Sequence, residues 1–173
     1  MEKQHLILIG FMGSGKSTIG AKLSDKLQIP MVDTDKLIEE EQRLSIATIF
    51  ERFGETEFRQ METKLLKKLQ LEKQPLIIST GGGLPLKTEN SLLIKKIGLV
   101  VWLDVNKTTV LNRLKDDTTR PLLKGDNVEA KVEALLAQRR EQYTVAADVR
   151  IDVNEVSEDQ IVEKICSYYR TNW

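Results

Sequence analysis

The sequence predicts an α/β fold in which a mostly parallel sheet is covered by helices on both faces. Three observations carry that reading. Apolar runs without polar alternation, such as Leu6-Ile7-Leu8-Ile9 and Leu99-Val100-Val101-Trp102-Leu103, read as strands buried on both sides. Segments with apolar residues at helical spacing lie between them. No internal repeat, low-complexity tract or linker divides the 173 residues, a length that suits one well-buried domain.

The first apolar run stops at a glycine and passes into Gly10-Phe11-Met12-Gly13-Ser14-Gly15-Lys16-Ser17-Thr18, the G-x-x-x-x-G-K-[ST] spacing of a phosphate-binding loop. Ile19, Leu23 and Leu27 follow at helical spacing, so strand, glycine-rich turn and helix stand in the required order. The glycines leave room for backbone N–H groups to converge on phosphate oxygens. The start of the helix adds its unpaired amides and the positive end of its dipole. Lys16 is placed to reach β- and γ-phosphates, and the Ser17 hydroxyl to ligate Mg²⁺. The expected ligand is a nucleoside triphosphate.

Further along, a short strand is expected at 31–33 and a charged helix at 34–42. Separate helical patterns cover 45–52 (Ile46, Ile49, Phe50) and 56–71 (Phe58, Met61, Leu65, Leu66, Leu69). Residues 76–79 read as a buried strand stopped by Gly81-Gly82-Gly83. Then come a helix at 88–97, a strand at 99–103, a helix at 107–115, a polar stretch at 116–126 and a long helix at 127–143. A strand at 147–152 and a helix at 158–171 complete the alternation. Ligands of such sheets bind beyond the carboxyl ends of the strands, which is where chemistry is sought.

At those ends the sequence offers several candidates. Asp33-Thr34-Asp35 closes the second strand, and residues two apart in extended chain project to the same side. One carboxylate then serves Mg²⁺ through water while the other accepts a proton from an attacking hydroxyl. Helix capping explains the same triplet equally well. Asp104 ends an apolar strand in the manner of a Walker B aspartate, and spacing does not choose between it and Asp33. Arg59 and Glu62 share a helix face at i, i+3, either as a solvated ion pair or as a guanidinium fork for a substrate carboxylate held in direction by the glutamate. Gly81-Gly82-Gly83 permits a backbone without side chains to lie against a bound ring, with the Gly82 N–H directed at it. Pro121 keeps Arg120 extended in the polar stretch, which reads as a flap over the phosphates or as an ordinary surface loop. Arg139 and Tyr143 stand at i, i+4, a spacing at which an arginine stacks on a tyrosine without any ligand.

Composition narrows the classes. Lys+Arg and Asp+Glu each number 26, for a formal net charge of zero, so the basic excess of a protein that grips a nucleic-acid backbone is missing. No apolar stretch approaches a membrane span, and the first one has no small-residue cleavage site behind it. The single cysteine, Cys166, excludes an internal disulfide and fits a reducing cytoplasm; its place in the last helical pattern suits a buried thiol. No Asn-Lys-x-Asp element of a guanine-selective switch occurs.

Taken in order, the stretch Gly10 to Thr18, Asp33-Thr34-Asp35, Phe58-Arg59 with Glu62, Gly81-Gly82-Gly83, Thr119-Arg120-Pro121-Leu122-Leu123, and Arg139 with Tyr143 resemble shikimate kinases over essentially the whole chain. The resemblance implies ATP-dependent phosphorylation of the 3-hydroxyl of shikimate, a step toward aromatic amino acids, by a cytoplasmic monomer. The implied fold is a three-layer α/β/α phosphate-loop kinase of the nucleoside monophosphate kinase kind, with a five-stranded parallel sheet in the order 2-3-1-4-5. It implies one domain over 1–173, with a substrate-binding region at about 34–62 and a lid at about 113–125. Gly13, Ser14, Gly15, Lys16, Ser17 and Thr18 would bind ATP, and Ser17 and Asp33 would serve Mg²⁺, which selects Asp33 over Asp104. Asp35 would hydrogen-bond the shikimate hydroxyls and act as base, Arg59 and Arg139 would clamp the carboxylate, and Glu62 would orient Arg59. Gly81 and the Gly82 amide would contact the ring. Arg120 would reach the ATP phosphates and adenine from above, with Arg113 in a similar role; Lys16, Asp35 and Arg120 would carry catalysis. The adenine-contacting segment lies near Asn154, where Val156 stands in place of a basic residue found in some relatives. The nearest rival is another small-molecule kinase acting on gluconate or a nucleotide.

Overall fold

The computed structural model describes residues 4–115 and 127–172. Five strands, β1 (His5–Ile9), β2 (Met31–Asp33), β3 (Ile77–Ser79), β4 (Gly98–Asp104) and β5 (Val149–Asp152), form one sheet in the order β2-β3-β1-β4-β5. Every pairing is parallel. The helices are α1 (Lys16–Leu27), α2 (Thr34–Gln42), α3 (Ile46–Leu69), α4 (Thr88–Ile97), α5 (Lys107–Leu114), α6 (Val128–Ala146) and α7 (Glu158–Asn172).

The apolar runs lack alternation because the central strands have no solvent face. All residues of β1, β3 and β4 are buried, whereas the edge strands β2 and β5 are partly exposed. Helix α1 packs with α7, and α4 packs with α3 and α6, which gives the sheet its two covering layers. Leaving β1, the chain builds β2 and β3 on one side and then crosses to β4 and β5 on the other. A crevice therefore opens beyond the carboxyl end of β1, at the point where the winding reverses.

The expected elements are present, with displaced boundaries. Helix α6 runs on to Ala146, so β5 starts at Val149 rather than at 147, and β4 gains Gly98 and Asp104. The helical patterns at 45–52 and 56–71 meet in one element, α3, broken at Gly54, whose φ of 78° and ψ of 172° are not helical. A short 3₁₀ turn at Leu84–Leu86, entered through Pro85, follows the glycine triplet and was not expected. Cys166 is buried on α7, as its position in the pattern required.

His5 is buried at the start of β1 and joins three elements. The Leu76 N–H donates to its Nδ1 at 3.2 Å, so Nε2 carries the proton and donates to the Leu69 carbonyl at 3.1 Å. Burial lowers its pKa, with the Leu69 carbonyl acting in the opposite direction.

Candidate active site

The loop between β1 and α1 is built for an anion. Gly10, Gly13 and Gly15 all have positive φ, and a Cβ on Gly10 would come within 2.7 Å of the Leu103 carbonyl oxygen of β4. Helix α1 begins at Lys16 with no side-chain cap and no acidic residue in its first turn. Asp33, Ser45 and Asn106 cap α2, α3 and α5, while α4 and α6, which also lack a side-chain cap, carry Glu89 and Glu129 in their first turns; α1 has neither a cap nor an acidic residue there. The Lys16 ammonium is held by the carbonyls of Gly10 at 2.7 Å and Phe11 at 3.0 Å.

A cavity of about 320 Å³ opens over this loop, lined by Gly13, Gly15, Lys16, Ser17, Thr18, Asp33, Asp35, Ser79 to Gly83 and Arg139, among others. Ser14 is not among them. Its hydroxyl is buried without a partner and its N–H donates back to the Phe11 carbonyl, so its side chain lies beneath the loop rather than in the cavity. Arg113 braces the loop from the side, donating to the carbonyls of Gly13 at 2.9 Å and Val153 at 3.0 Å. Arg120 lies outside the described residues, as does most of the stretch expected to be a lid.

Asp33 caps α2 and also lines the cavity. Its Oδ1 caps α2, accepting from the N–H groups of Asp35 at 3.0 Å and Lys36 at 3.3 Å. Its Oδ2 accepts from the Ser79 hydroxyl at 3.1 Å on the cavity wall. Asp104 plays no part in this cavity. It ends β4, on the other side of β1, where Arg150 Nε donates to it at 2.8 Å and Arg140 approaches at 3.8 Å. Topology thus separates two aspartates that spacing could not.

Asp35 Oδ1 is buried without a hydrogen-bond partner. Burial and then the nearby Asp33 push its carboxyl up to about 6, against the pull of Lys16 and Arg59. The glycine triplet makes room for the charged groups around it. A Cβ on Gly81 would collide with the Asp35 carboxylate, and one on Gly83 would collide with the Arg59 guanidinium. None of the three glycines has a positive φ, so their requirement here is space rather than backbone freedom. Gly81 also uses its N–H to donate to Thr34 Oγ1 at 3.0 Å. Gly83 carried no separate signal in the sequence, since the side chain it admits belongs to a helix more than twenty residues away.

The Arg59 guanidinium, beyond Gly83, donates through Nη1 to both oxygens of Glu62 at 2.9 Å and through Nη2 to Glu55 at 3.0 Å. Burial opposes its charge most strongly, but Glu62 and Glu55 together outweigh it and raise its pKa. Glu62 has no solvent exposure, and burial pushes its carboxyl up to about 7 while Arg59 draws it down. Arg139 reaches the cavity from α6 and stacks over Phe11 at 5.5 Å rather than on Tyr143. The Tyr143 ring packs against Trp102 instead, and its hydroxyl donates to the Gly82 carbonyl at 2.6 Å. Asn154 lies past β5 and accepts from the Asn106 N–H at 2.8 Å.

The family model for shikimate kinase matches residues 12–170. The chain belongs to the shikimate kinase family. A shikimate kinase of Sulfurihydrogenibium sp. is 46% identical over 94% of this chain and 95% of its own length. The structure of a shikimate kinase from Acinetobacter baumannii in complex with shikimate superposes with a TM-score of 0.89 at 34% identity, covering 98% of this chain and 94% of the other. A deoxyadenosine kinase from M. mycoides shares the fold alone, with a TM-score of 0.64 at 18% identity over 96% of this chain and 99% of the other. The parallel order β2-β3-β1-β4-β5 with flanking helices is thus that of a phosphate-loop kinase, as expected for this family. Among the described residues, no helix is long and apolar enough to cross a membrane.

Proposed function

We propose that this shikimate kinase family member transfers the γ-phosphoryl group of ATP to the 3-hydroxyl of shikimate, and that the residues gathered at the crevice carry the reaction. The observation that carries the reading is the meeting of two kinds of group in one cavity. Lys16, Ser17 and the open start of α1 line it together with Asp35 and Arg139, with Arg59 just beyond Gly83. The first set suits a polyphosphate, and the second suits a small hydroxylated ring acid. Arg59 and Arg139 receive the carboxylate, and the backbone at Gly81-Gly82 packs against the ring. Asp35, ionised above about 6, accepts the proton of the 3-hydroxyl as its oxygen attacks the γ-phosphorus and the bond to the β-phosphate oxygen breaks. Lys16 balances the charge on the transferring group.

The donors present fit Mg²⁺, which takes few protein oxygens and keeps phosphate and water ligands. Ser17 supplies a hydroxyl, and Asp33, whose two oxygens are already hydrogen-bonded to protein, serves through water. When bound, the ion neutralises phosphate charge. The resemblance adds Arg120 as a further cation over the phosphates, within a lid at about 113–125 of a single domain over 1–173. The protein is expected to act as a cytoplasmic monomer. Coupled ADP release tests the reading, with shikimate, gluconate and nucleoside monophosphates offered in parallel. Strong stimulation by shikimate alone is the expected result, and equal or greater stimulation by another acceptor overturns it.

A further inference from the structure

We infer that Asn90 is a positioning residue for the carboxylate clamp: its side-chain amide fixes the Glu62 carboxylate from the α4 side and, through it, the Arg59 guanidinium. The inference rests on the reading above, in which Arg59 receives the shikimate carboxylate.

Asn90 and Glu62 are both fully buried, one on α4 and the other on α3. A single nitrogen of Arg59 reaches both oxygens of Glu62, an arrangement that leaves the carboxylate free to rock about that nitrogen. Asn90 Nδ2 supplies a second donor, on Oε2 at 3.3 Å, from the opposite element. Chemistry dictates the direction of the chain behind it. An ionised carboxylate only accepts, so Asn90 turns its NH₂ group toward Glu62 and its carbonyl toward Thr63. The Thr63 hydroxyl has one proton and two acceptors in reach, Asn90 Oδ1 at 2.6 Å and the Arg59 carbonyl at 2.8 Å; the shorter contact takes it, and the Lys87 ammonium, which only donates, gives to Thr63 Oγ1 at 2.8 Å. One run of donors therefore points from Lys87 through Thr63 and Asn90 into Glu62, where it meets Arg59 arriving from the substrate side.

The charged groups that face Glu62 are Arg59 and Glu55 on its own helix and Asp35 on α2. From α4, Lys87 stands beyond Thr63, with Glu89 paired to it. Without the Asn90 donor, Glu62 takes a proton more readily. A neutral Glu62 deprives Arg59 of both its counter-charge and its aim. The defect falls on shikimate capture, because the phosphate loop shares none of these contacts.

The test uses the full chain as wild type, as the isosteric Asn90→Asp, which replaces the donor by a carboxylate, and as Thr63→Val, which removes the hydroxyl that orients the amide. KM for shikimate, KM for ATP and kcat are measured from pH 6 to 9, and the Glu62 carboxyl is titrated by carbon-13 NMR without substrate. Asn90→Asp is expected to raise KM for shikimate about 10-fold at pH 8, the loss of one charge-assisted hydrogen bond. KM for ATP stays within about 2-fold on the same reasoning. The defect shrinks toward pH 6 as the new carboxyl gains a proton and becomes a donor, and the Glu62 midpoint moves upward. Thr63→Val moves both readouts in the same direction, and it carries the test alone should Asn90→Asp fail to fold. An unchanged Glu62 midpoint, or KM values for both substrates rising together, overturns the inference. A wild type that ignores shikimate overturns the proposed function instead, while the titration still decides Asn90.

Discussion

Asp35→Asn should abolish most turnover and make the protein more stable. The wild-type carboxyl titrates near 6 in the folded protein against an ordinary 3.8, mainly because it is buried, with one oxygen left without a partner. The unfolded chain therefore gives up its proton at lower pH than the native one. Ionising the carboxyl costs stability, a cost that is absent below about 3.8 and fully felt above about 6. A shift of about two units at about 1.4 kcal/mol each sets that cost at no more than about 3 kcal/mol, less whatever solvent reaches the group. Asparagine has the same shape and no charge to bury. At pH 8 its variant should melt several degrees higher, at roughly 2–4 °C per kcal/mol for a domain of this size. Below pH 6 the two proteins should converge. Thermal unfolding across pH 4.5 to 8 reads the stability, and coupled ADP release reads the turnover. An advantage that does not change with pH would refute the burial argument. Near-normal turnover would remove Asp35 from the chemistry.

Three further outcomes are expected. Gly83→Ala places a methyl group where the Arg59 guanidinium lies, so KM for shikimate should rise 10-fold or more for the displacement of a charge-assisted contact, with KM for ATP little changed; steady-state kinetics decide it. Gly54→Ala meets no neighbouring atoms yet must hold a φ of 78°, so it should lower stability by about 1–3 kcal/mol through backbone strain alone, measured by urea unfolding. Burial keeps His5 neutral, so its native pKa lies below the unfolded value of 6.5. Stability from this group is intact above pH 6.5 and is lost as pH falls through that value toward the native pKa; His5→Gln should flatten that part of the stability profile in denaturant titrations.

Much of this architecture could be read along the chain because its signals are local. The run Leu6 to Ile9, the glycine loop and Lys16 are contiguous, and one strand feeding one helix needs no distant partner to be recognised. Asp33 and Asp104 could not be ranked, because their difference lies in which side of β1 each strand occupies, and periodicity carries no information on strand order. Ser14 reads as a loop residue like its neighbours, and only the close approach of the loop to β4 shows that its hydroxyl faces inward. Arg59 and Glu62 declare themselves as an i, i+3 pair. The glycine triplet marks Gly83 as part of a site, but nothing nearby in sequence says that it makes space for the first, and nothing announces Asn90, which is inferred to steady the second. Gly54 interrupts two patterns that would each pass as a helix, and its dihedral angles show why they join at an angle instead of running through.

The open beginning of α1 has a practical consequence. Its first-turn amides are not discriminating about which tetrahedral oxyanion they hold. Inorganic phosphate or sulfate in a reaction mixture is expected to compete with ATP for the same donors. Constants measured in such buffers should then describe a partly inhibited protein, whereas amine or zwitterionic buffers should leave that position to the nucleotide.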